Sequence, residues 1–155
     1  PHMGLRDRVG TALKDAMRNK EAERLSTLRL INAAIKDKDI AARTEGADDA
    51  GVSDDVVLQI LGKMVKQRQE SARAYEEGGR VDLAERERSE IGVIEEFLPR
   101  QLTDDEVTAA VDDAIAETGA EGIRDMSKVM GVLKGKYTGR MDFGRVGPRV
   151  KDRLG

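Results

Sequence analysis

Cysteine and tryptophan are absent from this 155-residue chain, and the other aromatics are Tyr75, Tyr137, Phe97 and Phe143. Without cysteine there is neither a disulfide nor a thiolate metal site. With so few rings, the core must come from Leu, Ile, Val, Met and Ala, which favours packed helices over a sheet sandwich. Three prolines break few elements. The single histidine, His2, precedes Met3, and Pro1-His2 reads as an addition left by cloning with Met3 as the natural start. Discounting His2 removes every histidine-dependent triad, proton shuttle and zinc site. No apolar run approaches the roughly 18 residues of a membrane span, and no charged-then-apolar leader is visible. These absences set the expectation of a cytoplasmic protein with no membrane association.

What the chain has in quantity is charge. Asp, Glu, Lys and Arg make up 37% of it, with the signs interleaved as on solvated amphipathic helices. Seven helical patterns follow in order. Residues 4–18 carry Leu5, Val9, Leu13 and Met17, each four apart. After a break at Asn19-Lys20, a second helix from Glu21 to Arg43 carries Leu25, Leu28, Ile31 and Ile35. The polar stretch from Thr44 to Gly51 reads as a mobile loop. Ser53 caps a third helix that Gly78-Gly79 ends. Asp82 with Glu85 forms a capping box for a fourth helix, which runs through Ile91, Ile94, Phe97 and Leu98 to Pro99.

Pro99 is the expected boundary between an N-terminal helical subdomain, 3–98, and a C-terminal three-helix subdomain, 99–155. Thr103 with Glu106 is a second capping box, opening a fifth helix that Gly119 ends. Asp125 caps a short sixth helix with an apolar stripe at Met126, Val129, Met130 and Leu133. A turn carrying Lys134, Lys136 and Arg140 follows it. The seventh helix lies between Asp142 and Leu154, with Phe143, Val146, Val150 and Leu154 inward. Pro148 argues that it starts late, near Gly147. No stretch alternates with period two, so the fold class is all-α, four helices and then three.

From residue 119 onward nine Lys or Arg stand against four Asp or Glu, a net of +5, whereas the whole chain is formally −3. An acidic front and basic back suits an RNA phosphate ligand at the C-terminal end. The plainer readings are that it helps the two modules attract each other or is ordinary solvated surface. Arg124, Lys128, Lys134, Lys136 and Arg140 are the candidate phosphate contacts. Tyr137 can stack on a base or cover the end of the sixth helix.

Catalytic motifs are wanting. Glu85, Glu87, Glu90, Glu95 and Glu96 alternate with Arg86 and Arg88 and lack the histidines of a carboxylate-metal bundle. They read as a solvated face, and no cofactor or metal is expected. Gly131, Gly135 and Gly139 do not have phosphate-loop spacing. Close helix packing at Gly131, and turn or helix-end geometry at Gly135 and Gly139, explain them more simply.

Three segments together carry a resemblance: Leu28 to Ile40 (LRLINAAIKDKDI), Glu90 to Glu106 (EIGVIEEFLPRQLTDDE) and Asp125 to Val146 (DMSKVMGVLKGKYTGRMDFGRV). In this order they resemble the YqeY (GatB/YqeY) family of small bacterial proteins. They also resemble the tail domain of the B subunit of glutamine-dependent aspartyl/glutamyl-tRNA amidotransferase, a domain appended to some glutaminyl-tRNA synthetases. The resemblance implies a four-helix and a three-helix subdomain and a role in holding tRNA, with Lys128, Lys134, Lys136 and Arg140 at the matching positions. It implies as partners tRNA and an aminoacyl-tRNA synthetase or amidotransferase complex; DNA is not expected. The family pattern Met-Gly-Lys-Val-Met-Gly appears here with Ser127 in place of its first glycine. A label of carbon-nitrogen ligase activity with glutamine as amido donor attaches to the family from the multi-subunit enzyme. This chain lacks an amidase Ser-Ser-Lys apparatus, so the expectation is a binding module or adaptor that does not catalyse this step alone.

Overall fold

The computed structural model describes residues 4–44, 46 and 51–155. All regular structure among them is helical: α1 (Leu5–Arg18), α2 (Ala22–Thr44), α3 (Asp54–Glu77), α4 (Val81–Glu95), α5 (Asp104–Thr118), α6 (Met126–Tyr137) and α7 (Phe143–Leu154), with a 3-10 turn at Ile123–Asp125. The chain divides into two compact units, Pro1–Leu98 and Pro99–Gly155. The expected loop at 44–51 lies mostly outside the described residues.

The first unit packs α1–α4 around Val9, Leu28, Ile31, Ile35, Val57, Leu61 and Ile94, all essentially inaccessible to water. In α1 the four-residue ladder drifts. Each step of four advances about 40° beyond a full turn, so by Met17 the stripe has left the core, and that side chain is 54% exposed. Ala16, eleven residues from Leu5, returns to the buried side instead. The α1–α2 break is a Schellman motif. The Glu21 amide donates to Ala16 O and the Lys20 amide to Met17 O, with Lys20 held at φ 56°.

Two side chains of this unit tie separate helices. Arg6 donates a bidentate fork to Asp39, at 2.8 and 2.7 Å. Asp39 Oδ1 also accepts the Val52 amide at 2.9 Å, joining α1, α2 and the approach to α3. Gly51 sits there with φ +87°, and a Cβ would come within 2.7 Å of Arg6 Nη2, so only glycine fits. Ser53 caps α3 as expected, accepting from the Val56 amide.

Helix α4 departs from the sequence reading at both ends. Its N-cap is Arg80, without a side-chain cap, and Asp82 lies inside the first turn, bound to the Arg80 guanidinium instead of forming a capping box with Glu85. The Gly79 turn, φ 77°, delivers the chain into helix with Arg80 as N-cap, two residues too early for Asp82 to cap. After Glu95 the amides of Glu96, Phe97 and Leu98 bond three residues back, so the helix tightens before Pro99.

In the second unit α5, α6 and α7 enclose Val107, Val111, Ala114, Val129, Leu133, Val146 and Val150. The Thr103–Glu106 capping box is present in both directions. Two expectations fail. Asp125 makes no side-chain cap on α6; its carboxylate accepts the Glu121 amide at 3.0 Å, stabilising the 3-10 turn before the helix. Helix α7 begins at Phe143, not near Gly147, and contains Pro148. Asp142 caps it early by accepting the Gly144 amide at 2.9 Å, and burial of Val146 and Gly147 holds the turn before the proline.

Candidate nucleic-acid interface

Helix α6 sets the geometry of the basic end. Its buried side is Val129 and Leu133, with Met126, Met130 and Tyr137 packed beside them. At 100° per residue these five occupy one arc. Ser127, Lys128, Gly131, Lys134 and Gly135 fall on the opposite arc, and all five are exposed. The helix continues to Tyr137, so Lys134 and Lys136 are helical and not in a turn as the sequence suggested. Only Arg140 sits in the turn, after Gly139 at φ 78°. The apolar ladder through Leu133 and Tyr137 keeps the helix going, and Gly135, having ordinary helical backbone, does not stop it.

The six predicted site residues differ in what holds them. Lys136 lies on the flank facing α5 and pairs with Glu117 at 2.7 Å, a contact that raises its pKa. Arg140 Nε donates to Arg100 O at 3.0 Å, and its guanidinium sits 5.9 Å from the Tyr137 ring centroid. Tyr137 is half-buried, packed on the core and partly covered by Arg140, which favours its role as a cover over the helix end. Gln101 Nε2 donates to Gly139 O, and the Leu102 amide donates to Arg140 O at 2.9 Å, fixing this turn against the start of the unit. Lys128 stands 3.9 Å from Asp125, an exposed i,i+3 pair of little energetic weight. The Glu121 amide, together with Lys128 and Arg124, holds the Asp125 carboxyl below its usual range. Arg124 and Lys134 are exposed and form no ion pair among the described residues.

The C-terminal excess of positive charge is thus partly neutralised within its own unit. Arg149 pairs with Asp104 and Arg153 with Asp112, each at 2.9 Å, so α7 and α6 both turn cations toward acidic α5. The arrangement leaves a narrower basic surface than the sequence count implies: on α6 it is Lys128 and Lys134 on either edge of the exposed arc, with Arg124 at the turn preceding it, and on α7 the exposed Lys151.

Between those lysines the surface is smooth. A Cβ added at Gly131 or Gly135 would meet nothing within 4 Å. Close packing within the chain therefore does not explain Gly131, nor does helix-end geometry explain Gly135. Each glycine costs the helix about 1 kcal/mol relative to alanine. The role of Gly131 and Gly135 as exposed helical positions is the feature that spacing alone did not reveal. Among the described residues no group of three or more His, Cys, Asp or Glu is arranged to hold a metal ion, and no helix is long and apolar enough to cross a membrane.

The class defined by this fold is an all-α protein of two helical units, four helices followed by three. The family model described as Yqey-like protein matches residues 6–154, and the chain belongs to that family. Among similar curated proteins is altered inheritance of mitochondria protein 41, mitochondrial, of Meyerozyma guilliermondii, 35% identical over 127 residues, 78% of this chain and 62% of the relative. The protein of the same name from Lachancea thermotolerans is 32% identical over 107 residues, 68% of this chain and 54% of the relative. That of Pyrenophora tritici-repentis is 27% identical over 151 residues, 96% of this chain and 80% of the relative. The match spans little more than half the length of the first two. These relatives overturn the expectation of a bacterial, cytoplasmic protein, because they are fungal and are named as mitochondrial. Charge and lack of cysteine suit any reducing aqueous compartment, so composition could not distinguish them.

Proposed function

We propose that this protein is a non-catalytic RNA-binding module, with tRNA the ligand its family resemblance implies, and that it holds the phosphate backbone on the exposed arc of α6. The observation that carries this reading is the pair of open helical glycines, Gly131 and Gly135, lying between Lys128 and Lys134. A helix face without side chains lets a polyanion approach the helix surface itself, while ammonium groups on both edges reach its phosphates. Arg124 extends the track toward the 3-10 turn. Such contacts position a nucleic acid without reading its sequence. Lys136, Arg149 and Arg153 hold α5 to its neighbours in this account and are not phosphate ligands.

The test is a titration of 15N-labelled protein with a bulk tRNA pool, followed by amide chemical shifts. The largest changes are expected at Ser127, Lys128, Gly131, Lys134 and Gly135. Changes concentrated elsewhere, or none at saturating RNA, would refute the assignment.

A further inference from the structure

A second surface lies in the first unit, between α2 and α3. Ala34 of α2 and Val56, Ile60 and Met64 of α3 floor an open groove of about 370 Å³. Leu30, one turn before Ala34 on the same stripe of α2, is 46% exposed and continues the apolar strip. Lys38 and Lys63 stand on the rim, and neither forms an ion pair among the described residues. Gln59 and Gln67 complete the lining, which among the described residues includes no carboxylate.

We infer that this groove is a docking site for an acidic amphipathic helix of a partner protein. The shape fits a helix: from Val56 to Gln67 the lining runs along α3 for about 16 Å, or three turns. An apolar floor with polar edges matches the mode in which a helix lays anchors spaced i, i+4 and i+7 into a hydrophobic groove. The charge selects the sign. The first unit has more acidic than basic residues, yet the polar side chains lining the groove among the described residues are two lysines and two glutamines, which favours carboxylates flanking the anchors and disfavours a basic segment. RNA is a poor occupant because the floor is aliphatic and offers neither an aromatic ring nor a guanidinium to stack on a base. A second copy of this chain fits poorly as well. Of its acidic helices, α5 already buries Val107, Ala110, Val111 and Ala114, and α4 buries Ala84 and Ile94 and exposes a single large apolar side chain, Val81, too few for three anchors.

The test uses a fluorescein-labelled, Ala-based helical peptide of about 16 residues, bearing Leu at i, i+4 and i+7 flanked by Glu. A matched peptide carries Lys in place of Glu. Anisotropy with the full chain is expected to show the acidic peptide binding at least about tenfold tighter than the basic one. The Lys38→Glu/Lys63→Glu variant should invert this preference, and the inversion excludes simple misfolding as the cause of lost binding. Tight binding of both peptides, of neither, or an unchanged preference in the variant would overturn the inference. So would sedimentation showing that the groove is filled by a second copy. The same variant should bind a tRNA pool as the parent does, and loss of RNA binding would instead assign these lysines to the nucleic-acid surface.

Discussion

The Lys136 ammonium lies 2.7 Å from the Glu117 carboxylate and joins the last turn of α6 to the last turn of α5. A cation that sequence alone assigns to RNA is therefore already engaged. Lys136→Ala should leave tRNA affinity within about twofold of the parent. Glu117→Gln should raise it roughly threefold at low salt, since it releases about one phosphate contact. Filter binding or anisotropy with both variants checks this, and a large loss in Lys136→Ala would return that residue to the interface.

The exposed helical glycines make stability and binding move in opposite directions. With open space at both positions, Gly131→Ala/Gly135→Ala should stabilise the protein by about 1–2 kcal/mol in urea unfolding. The same change places methyl groups where the polyanion is proposed to approach and should weaken RNA binding. If the double variant is stabilised and binds RNA as well as or better than the parent, close approach to this face is not used.

The Glu106 carboxyl titrates at about 2, below its ordinary 4.5, chiefly because Arg100 donates a bidentate pair to it at 2.8 and 2.9 Å and the Thr103 amide donates a third bond. A carboxyl with a lowered folded pKa contributes stability above its unfolded pKa and loses it as pH falls through the folded one. Its contribution is thus present at pH 7 and disappears between about 4.5 and 2. Glu106→Gln should lower the melting temperature at pH 7, and the gap from the parent should close toward pH 2. A gap that stays constant with pH would contradict the assignment.

Lys20 occupies left-handed backbone at φ 56°, a conformation that costs a side-chain-bearing residue about 1–2 kcal/mol. Lys20→Gly should therefore raise stability, by up to about 1 kcal/mol after the entropy of the added glycine. Equilibrium urea unfolding reads this directly, and destabilisation would show that the Lys20 side chain contributes more than its backbone costs.

The parts of this fold legible from sequence are those decided locally. Ser53, the Thr103–Glu106 box and the Gly78-Gly79 stop need only a few neighbouring residues to act, and the helix count follows from apolar spacing. Asp82 misled because an acidic residue three before a glutamate looks the same whether it caps a helix or sits in its first turn. Pro148 misled because the Asp142 cap and buried Gly147 outweigh the missing amide. The site was less legible for a different reason. Lys136–Glu117, Arg153–Asp112 and Arg149–Asp104 span 19, 41 and 45 residues, so no window along the chain shows that those cations are spent on α5. Nor does the sequence say which side of α6 its glycines face. That depends on the arc fixed by Val129 and Leu133.

The salt dependence of tRNA binding in the parent and in Lys128→Ala/Lys134→Ala tests whether RNA lies on the exposed arc of α6. Arg124, Lys128 and Lys134 together should give a log–log slope of about −2 to −3, and removing the two lysines should flatten it by about 1.5 to 2 with a matching loss of affinity. Equal slopes and equal affinities in the two proteins would contradict the account and remove RNA from the face of α6.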